Sequence, residues 1–359
     1  MSVSSDNSNQ ASALAGALLG TAVGDALGLP MEGLSRSRQQ RLFAGPLRQQ
    51  LIANRGMVSD DTEHTVMVAR ALAAHPRDMD RFARSLAWQF RWWLCGLPAG
   101  VGFATLRGIL KLWLGFPPTR SGIFSAGNGP AMRSAILGVY FASDENRRQS
   151  FVRVCTRITH TDPRAEIAAQ AVAETAAWMC SENTDESVLL RQLRSLSDQT
   201  EWTRILQRFE ESLAAQLTTG QFAECLQLSI GVTGYAFHTA PVAIYSALRH
   251  RNNFQSALEE IIRCGGDTDT TAAITGALVG AHVGIDGIPI QWRTAFLEWP
   301  ALPSILTRLA KQIAANRSND SVARNRGEDL VSFAFRPLRN IVFLAVVLCH
   351  GLRRLFPPY

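Results

Sequence analysis

Cys264-Gly265-Gly266-Asp267-Thr268-Asp269-Thr270-Thr271 is the stretch whose reading decides the rest of the chain. Two carboxylates and three hydroxyls stand in five successive positions, directly behind two glycines that let the backbone turn sharply. The run that follows, AAITGALVGAHVG, is apolar and carries Gly276, Gly280 and Gly284 four apart, which predicts a tightly packed helix. Asp267 then falls at or near the N-cap, with Asp269 and Thr270 in the first turn. Hard oxygen donors at this density suit Mg²⁺, Mn²⁺ or Ca²⁺ better than zinc. Acids are also favourable at a helix N-terminus for their own sake, so the stretch alone leaves capping and metal binding both open.

A second stretch of the same kind lies far upstream. Ser59-Asp60-Asp61-Thr62-Glu63 precedes another helical run, HTVMVARALAAH. Alone it reads as capping as readily as ligation. Brought face to face, the four aspartates would repel and shift one another's pKa unless cations stood between them. That is the requirement of a two-metal site.

Upstream of both, ASALAGALLGTAVGDALGLPMEGLSRS places Gly16, Gly20, Gly24 and Gly28 on one helical stripe. Each interior glycine costs about 1 kcal/mol relative to alanine, so the stripe predicts another backbone packed closely against it. Its polar end carries Asp25, which could satisfy a local turn, and Glu32, a loop residue beside Pro30 and Gly33. Residues 77–116 read as helices whose many Phe and Trp side chains belong in the core. A loop then ends in Gly127-Asn128-Gly129-Pro130-Ala131-Met132-Arg133 before the helical SAILGVYFA. Open amides at such a start form an anion site for which phosphate is the natural ligand; a plain loop-to-helix junction is the alternative. THTDPRAEIAAQAVAETAAWM at 159–179 repeats the design, with His160 in a polar loop ahead of Asp162-Pro163. Tyr235 and His238 stand beside a further helix led by proline. Alternating Val, Ile and Thr is scarce, so the chain reads as all-α. Polar residues gather at helix starts again and again, as in a bundle that lines one cleft.

With 359 residues and 47% hydrophobic content, the chain can bury a large core. Six cysteines without C-x-x-C spacing argue against zinc and disulfides and for a reducing compartment, the cytoplasm. No apolar run of spanning length is uninterrupted. The net charge of +6 is concentrated in residues 301–359, which hold nine basic and three acidic side chains. The remainder is balanced, so no nucleic-acid partner is expected.

Domain organisation follows from these shifts. Residues 1–10 are polar and read as disordered, 11–312 as one domain, 313–329 as a linker, and 330–359 as a basic, apolar C-terminal segment. Within that segment Ile341–Cys349 carries no charge or polar amide, too short a run to span a bilayer. It reads as a final helix docked on the domain, or as a device that recruits the protein to an anionic membrane or a protein partner.

Taken together, GDALGLPME at 24–32, SDDT at 59–62, GNGPAMR at 127–133, THTDPRA at 159–165 and GGDTDT at 265–270 resemble the motifs of the ADP-ribosylglycohydrolase family, in the family's order. The resemblance implies a compact orthogonal multi-helix bundle around a dinuclear cleft holding two Mg²⁺ or Mn²⁺ ions. It implies ligands from Ser59, Asp60 and Asp61 on one side and from Asp267, Asp269 and Thr270 on the other. Ser59 departs from the family's more frequent threonine but supplies the same hydroxyl. By the same resemblance Glu32, Asp60 and Asp269 take catalytic roles, while Gly127, Asn128, Gly129 and His160 contact ADP-ribose. The implied activity is hydrolysis of ADP-ribose from a modified protein side chain, arginine first, reversing mono-ADP-ribosylation. A catalytically silent ADP-ribose binder, or an immunity-type protein that neutralises an ADP-ribosylating toxin by binding, is the alternative.

Overall fold

The computed structural model describes residues 3–181, 185–298, 302–318, 327–353 and 356. Among them are seventeen α-helices, two short 3-10 turns and no strand. Eight helices carry the argument: α1 (Val3–Gly28), α2 (Asp60–Ala74), α3 (Met79–Cys95), α4 (Pro163–Met179), α5 (Ala236–Arg249), α6 (Thr268–Val283), α7 (Leu302–Ser318) and α8 (Gly327–Arg353).

The glycine stripe of α1 meets the glycine stripe of α6. A Cβ placed on Gly20 would lie 2.0 Å from the Gly276 carbonyl oxygen, and one on Gly16 would lie 2.0 Å from that of Gly280. The two helices therefore touch backbone to backbone. They run antiparallel, because Gly16 faces Gly280 while Gly28 faces Thr268. This brings the end of α1 to the start of α6, where the Thr268 hydroxyl donates to the Gly28 carbonyl at 2.8 Å. Residues 9–31 are long and apolar enough to cross a membrane by composition, yet 89% of that window is buried inside the bundle. They are the core's central helix.

The helices after Ser59 and Asp162 start as their sequences predict, and Asp78 caps a third. Ser59, Asp78 and Asp162 each accept a backbone N–H at the N-caps of α2, α3 and α4, which satisfies otherwise orphaned donors. Other expectations are corrected. α1 begins at Val3, so residues 3–10 are helical rather than disordered. α7 runs to Ser318, so the expected linker is helical over 313–318, while 319–326 lie outside the described residues. Pro241 stands inside α5, not at its start. The aromatic stretch divides: Phe82, Phe90 and Trp93 are buried, whereas Trp88, Trp113 and Phe103 are exposed. Periodicity marks a helix's two faces but not which outer face finds a neighbour.

The C-terminal segment docks on the domain. Phe343 is buried with Leu29, Leu51 and Met57, the Asn340 amide donates to the Gly96 carbonyl at 2.7 Å, and His350 Nε2 lies 2.7 Å from the Leu51 carbonyl.

The α1–α6 contact is the most demanding in the fold. Gly20→Ala is expected to lower stability by about 1–3 kcal/mol, the cost of overpacking a filled contact. Gly45→Ala, where a Cβ meets nothing within 4 Å, serves as the control. Thermal melts followed by circular dichroism separate the two; equal melting temperatures would refute backbone contact as the reason for the stripe.

Candidate active site

Both acidic stretches are helix starts, and the fold points them at each other. Ser59 caps α2, its Oγ accepting the Asp61 N–H at 3.3 Å and donating to Asp61 Oδ2 at 3.1 Å. The same Asp61 Oδ2 accepts the Thr270 hydroxyl at 3.3 Å from the first turn of α6. Residues more than two hundred positions apart thus share one carboxylate oxygen. Asp267 is the N-cap residue of α6 but its side chain makes no capping bond. Its Oδ2 instead accepts the Asn128 side-chain amide at 2.6 Å. Capping therefore explains Ser59 and leaves Asp267 free for another use.

The glycine pair before Asp267 sits at φ of +73° and +80°, a conformation open mainly to glycine. It is gripped from two sides. Gly266 N–H donates to the Leu34 carbonyl at 2.8 Å and Gly33 N–H to the Gly266 carbonyl at 2.7 Å, while Asp267 N–H donates to the Val232 carbonyl at 2.8 Å. These bonds fix the turn that carries Glu32 against the turn that carries Asp267. Glu32 itself is exposed, at the rim of the cluster, and its charge raises the pKa of both Asp60 and Asp269.

Asp25 is the residue whose role the sequence understates. It is fully buried at the end of α1. Its carboxylate accepts the Ser59 N–H at 2.9 Å, the Thr62 N–H at 3.2 Å and the Thr62 hydroxyl at 2.5 Å. One carboxylate thereby holds the whole Ser59–Thr62 turn. Burial pushes its pKa up to about 7, against the lowering effect of those hydrogen bonds. Its signal in the sequence is a single acid at the end of the apolar run 11–28.

The cluster is electrostatically loaded. Burial drives Asp60, Asp61 and Asp269 well above the usual carboxylate range, and neighbouring acids drive them further. For Asp61 these are Asp25, Asp60 and Asp267, and for Asp269 they are Glu32, Asp267, Asp61 and Asp25. Asp61 Oδ1 and Asp269 Oδ1 are buried without a hydrogen-bond partner. Buried oxygens of this kind carry a desolvation cost that a cation removes. Among the described residues no group of three or more His, Cys, Asp or Glu side chains is arranged to hold a metal ion. The donor chemistry and the orphaned oxygens fit hard divalent cations.

The glycine turn at 127–129 borders the same space through Asn128. It leads into a three-residue 3-10 turn and then a six-residue helix, and the Asn128 N–H is taken by the Gly234 carbonyl at 3.0 Å. The expectation of open amides is therefore not met at Asn128. Arg133, fully buried, supports the turn from behind. It donates to the Gly129 carbonyl at 2.9 Å and to the Thr159 hydroxyl at 2.6 Å. His160 lies in a loop, as expected, and is buried against Gly127 and Gly129. Burial, reinforced by the Arg133 charge, lowers its pKa to about 3, so it acts as a neutral ring with Nδ1 on the Thr159 hydroxyl.

Hydroxyls and clustered carboxylates gathered at helix starts are the groups a hydrolytic site uses. The family model described as ADP-ribosylglycohydrolase matches residues 6–321, and the chain belongs to that family. It is accordingly a glycohydrolase. The chain is 31% identical over 298 residues to an uncharacterized protein of Archaeoglobus fulgidus, covering 81% of this chain and 94% of that one. It is 26% identical to the ADP-ribosyl-[dinitrogen reductase] glycohydrolase of Rhodospirillum rubrum, covering 77% of this chain and 87% of that one. It is 27% identical to the ADP-ribosylarginine hydrolase Tri1 of Pseudomonas putida, covering 77% and 72% respectively. Among solved structures, an ADP-ribosylglycohydrolase-related protein complex superposes with a TM-score of 0.59 at 25% identity, covering 86% of this chain and 99% of that one.

Asp25→Ala removes the acceptor of two buried amides and a hydroxyl. At about 1–3 kcal/mol for each buried donor left unsatisfied, the variant is expected to lose at least 3 kcal/mol in urea unfolding. A loss below 1 kcal/mol would show that the Ser59–Thr62 turn does not depend on Asp25.

Proposed function

We propose that this enzyme removes ADP-ribose from a modified protein side chain, arginine first, in a reaction that depends on two Mg²⁺ or Mn²⁺ ions. The observation that carries the reading is the meeting of Ser59, Asp61 and Thr270 around one carboxylate oxygen, beside an Asp267 held by Asn128. Hydrolases named for ADP-ribosylarginine and for ADP-ribosylated dinitrogen reductase are among the relatives. Ser59, Asp60 and Asp61 would hold the ions from α2, and Asp267, Asp269 and Thr270 from α6.

Cleavage at C1 of the ribose passes through an oxocarbenium-like state and needs a water delivered to that carbon. Ions held by these residues would supply Lewis acidity towards the ribose hydroxyls and towards that water. The chain's own groups orient and enclose. Asp25 keeps the Ser59–Thr62 turn in place, and Asn128 fixes Asp267 while presenting the glycine turn to the substrate. Glu32 is exposed and in this reading would face the incoming side chain. Its carboxylate is the group placed to take or give a proton at the open side of the cleft. The free cysteines accord with a cytoplasmic site of action.

The test uses arginine-linked and serine-linked ADP-ribosyl proteins with and without chelator. Activity on the arginine conjugate is expected to vanish with EDTA and return with Mn²⁺ or Mg²⁺. Asp269→Asn should lower turnover by orders of magnitude with the helical circular dichroism spectrum retained. Full turnover in EDTA would remove the metal reading. Release from serine alone would reassign the leaving group, and tight ADP-ribose binding without turnover would favour a silent binder.

The docked C-terminal helix also leaves an apolar face outward. Leu338, Ile341, Val342, Leu344, Leu348 and Leu352 are between 43% and 61% exposed, in the region that holds the chain's excess of basic side chains. That pairing matches a peripheral contact with an anionic membrane. The protein is expected to pellet with phosphatidylserine vesicles, and the triple variant Leu338→Ser, Ile341→Ser, Leu348→Ser to remain in the supernatant. Equal behaviour of the two proteins would end the membrane reading.

A further inference from the structure

The family match ends at residue 321, yet α8, beyond it, reaches the backbone on which the acidic cluster is built. Residues 55–58 run beside 295–298. Gly56 N–H donates to the Ala295 carbonyl at 2.9 Å and Leu297 N–H to the Gly56 carbonyl at 2.8 Å. At the end of this pairing, Val58 N–H donates to Glu298 Oε1 at 3.0 Å. Arg339 of α8 closes the arrangement from the opposite side. Its Nη2 donates to the Val58 carbonyl at 2.6 Å and to Glu298 Oε1, and its Nε donates to Glu298 Oε2 at 3.1 Å. Both backbone polar groups of Val58, the residue immediately before Ser59, are thus held by one ion pair.

The same arginine reaches the first turn of α2. Its Nη1 lies 3.9 Å from Glu63 Oε1, and Glu63 Oε2 accepts the Trp93 indole N–H at 2.6 Å. Its guanidinium also stands 4.7 Å from the ring centroid of Phe343. Phe343 in turn packs with Met57, two residues before Ser59, and with Leu29, which opens the turn leading to Glu32. α8 therefore backs both turns that carry acids into the cleft. A planar fork with five donors can satisfy a carboxylate and a carbonyl together, which a lysine cannot do in the same geometry.

We propose that Arg339 is a positioning residue: through Glu298, the Val58 carbonyl and Glu63 it fixes the direction in which Ser59, Asp60 and Asp61 leave the 55–58 segment, and so sets the metal affinity of the cleft. This rests on the metal reading given above. Groups that orient ligands without touching the ion are worth about 10–100-fold in affinity when removed, and that is the effect expected here.

The experiment uses the full chain and reads Mn²⁺ binding by titration calorimetry, with hydrogen exchange of the peptide spanning 55–62 measured in the absence of metal. Arg339→Met is expected to weaken Mn²⁺ binding at least tenfold and to speed exchange at Val58 and the amides after it. Arg339→Lys should give an intermediate result and serves if the methionine variant does not fold. Glu298→Gln combined with Arg339→Met should cost little beyond the arginine change alone, as expected for members of one network. Arg336→Met, one turn earlier on the same helix, should leave both readouts as in the wild type. Wild-type Mn²⁺ affinity and wild-type exchange in Arg339→Met overturn the proposal while leaving the metal reading intact, provided Asp269→Asn loses binding. Absence of Mn²⁺ binding by the wild-type protein would instead overturn the metal reading, and the exchange data alone would then decide whether Arg339 positions the turn.

Discussion

Backbone contact between α1 and α6 is the constraint on which the rest of the molecule depends. Two helices can approach until carbonyl oxygens of one lie where side chains of the other would stand only if those side chains are absent, and the stripes at Gly16, Gly20, Gly276 and Gly280 meet that condition. The antiparallel arrangement then has a chemical consequence. It sets Asp25 and the turn to Glu32, at the end of one helix, beside Asp267, Asp269 and Thr270 at the start of the other. α2 enters through Asp25, which binds its first turn directly. The packing that costs intrinsic helix propensity at each glycine is the packing that assembles the acids.

Gathering so many carboxylates has a cost that is visible in the direction of their pKa shifts. Burial and mutual repulsion act together on Asp60, Asp61 and Asp269. The fold offsets part of it by donating amides and hydroxyls to Asp25 and Asp61 and an amide to Asp267. It leaves one oxygen on each of Asp61 and Asp269 without any donor. A site selected only for stability would have closed those gaps or replaced the acids, since a buried, unsatisfied carboxylate is worse than an apolar side chain of similar size. Those two oxygens are the ones the proposed cations would satisfy.

Much of this was legible in the sequence because the relevant chemistry is local. Hydroxyl and acid residues ahead of a helical run, and a Gly-Gly pair before them, announce themselves within a few positions. Ser59 and Asp162 act as caps, and Gly265 and Gly266 adopt the backbone conformations their type allows. What stayed hidden depends on distant partners. Asp25 looked like a local turn acid because its partners are thirty-four and thirty-seven residues away. His160 looked solvated because nothing near it in sequence shows that Gly127 and Gly129 cover it. The aromatic stretch at 77–116 shows a helical period, but the exposure of Trp88 and Trp113 depends on the absence of a covering neighbour, which no local pattern encodes.

The tail makes the same point with an opposite sign. In the sequence, Arg339 is one of several arginines flanking an apolar run, and its charge fits a docked final helix or attraction to an anionic surface alike. In the structure its side chain is largely enclosed and faces inward, against Glu298, Glu63 and the Val58 carbonyl. A charge enclosed in this way is tolerated only with partners, and the partners here border the Ser59–Thr62 turn. The apolar residues around it then divide by face, with Phe343 turned in and Leu338, Ile341 and Leu348 turned out. The inward Arg339 and the outward Leu338, Ile341 and Leu348 stand on one helix, so the membrane contact proposed above would fall on the element that also holds Val58.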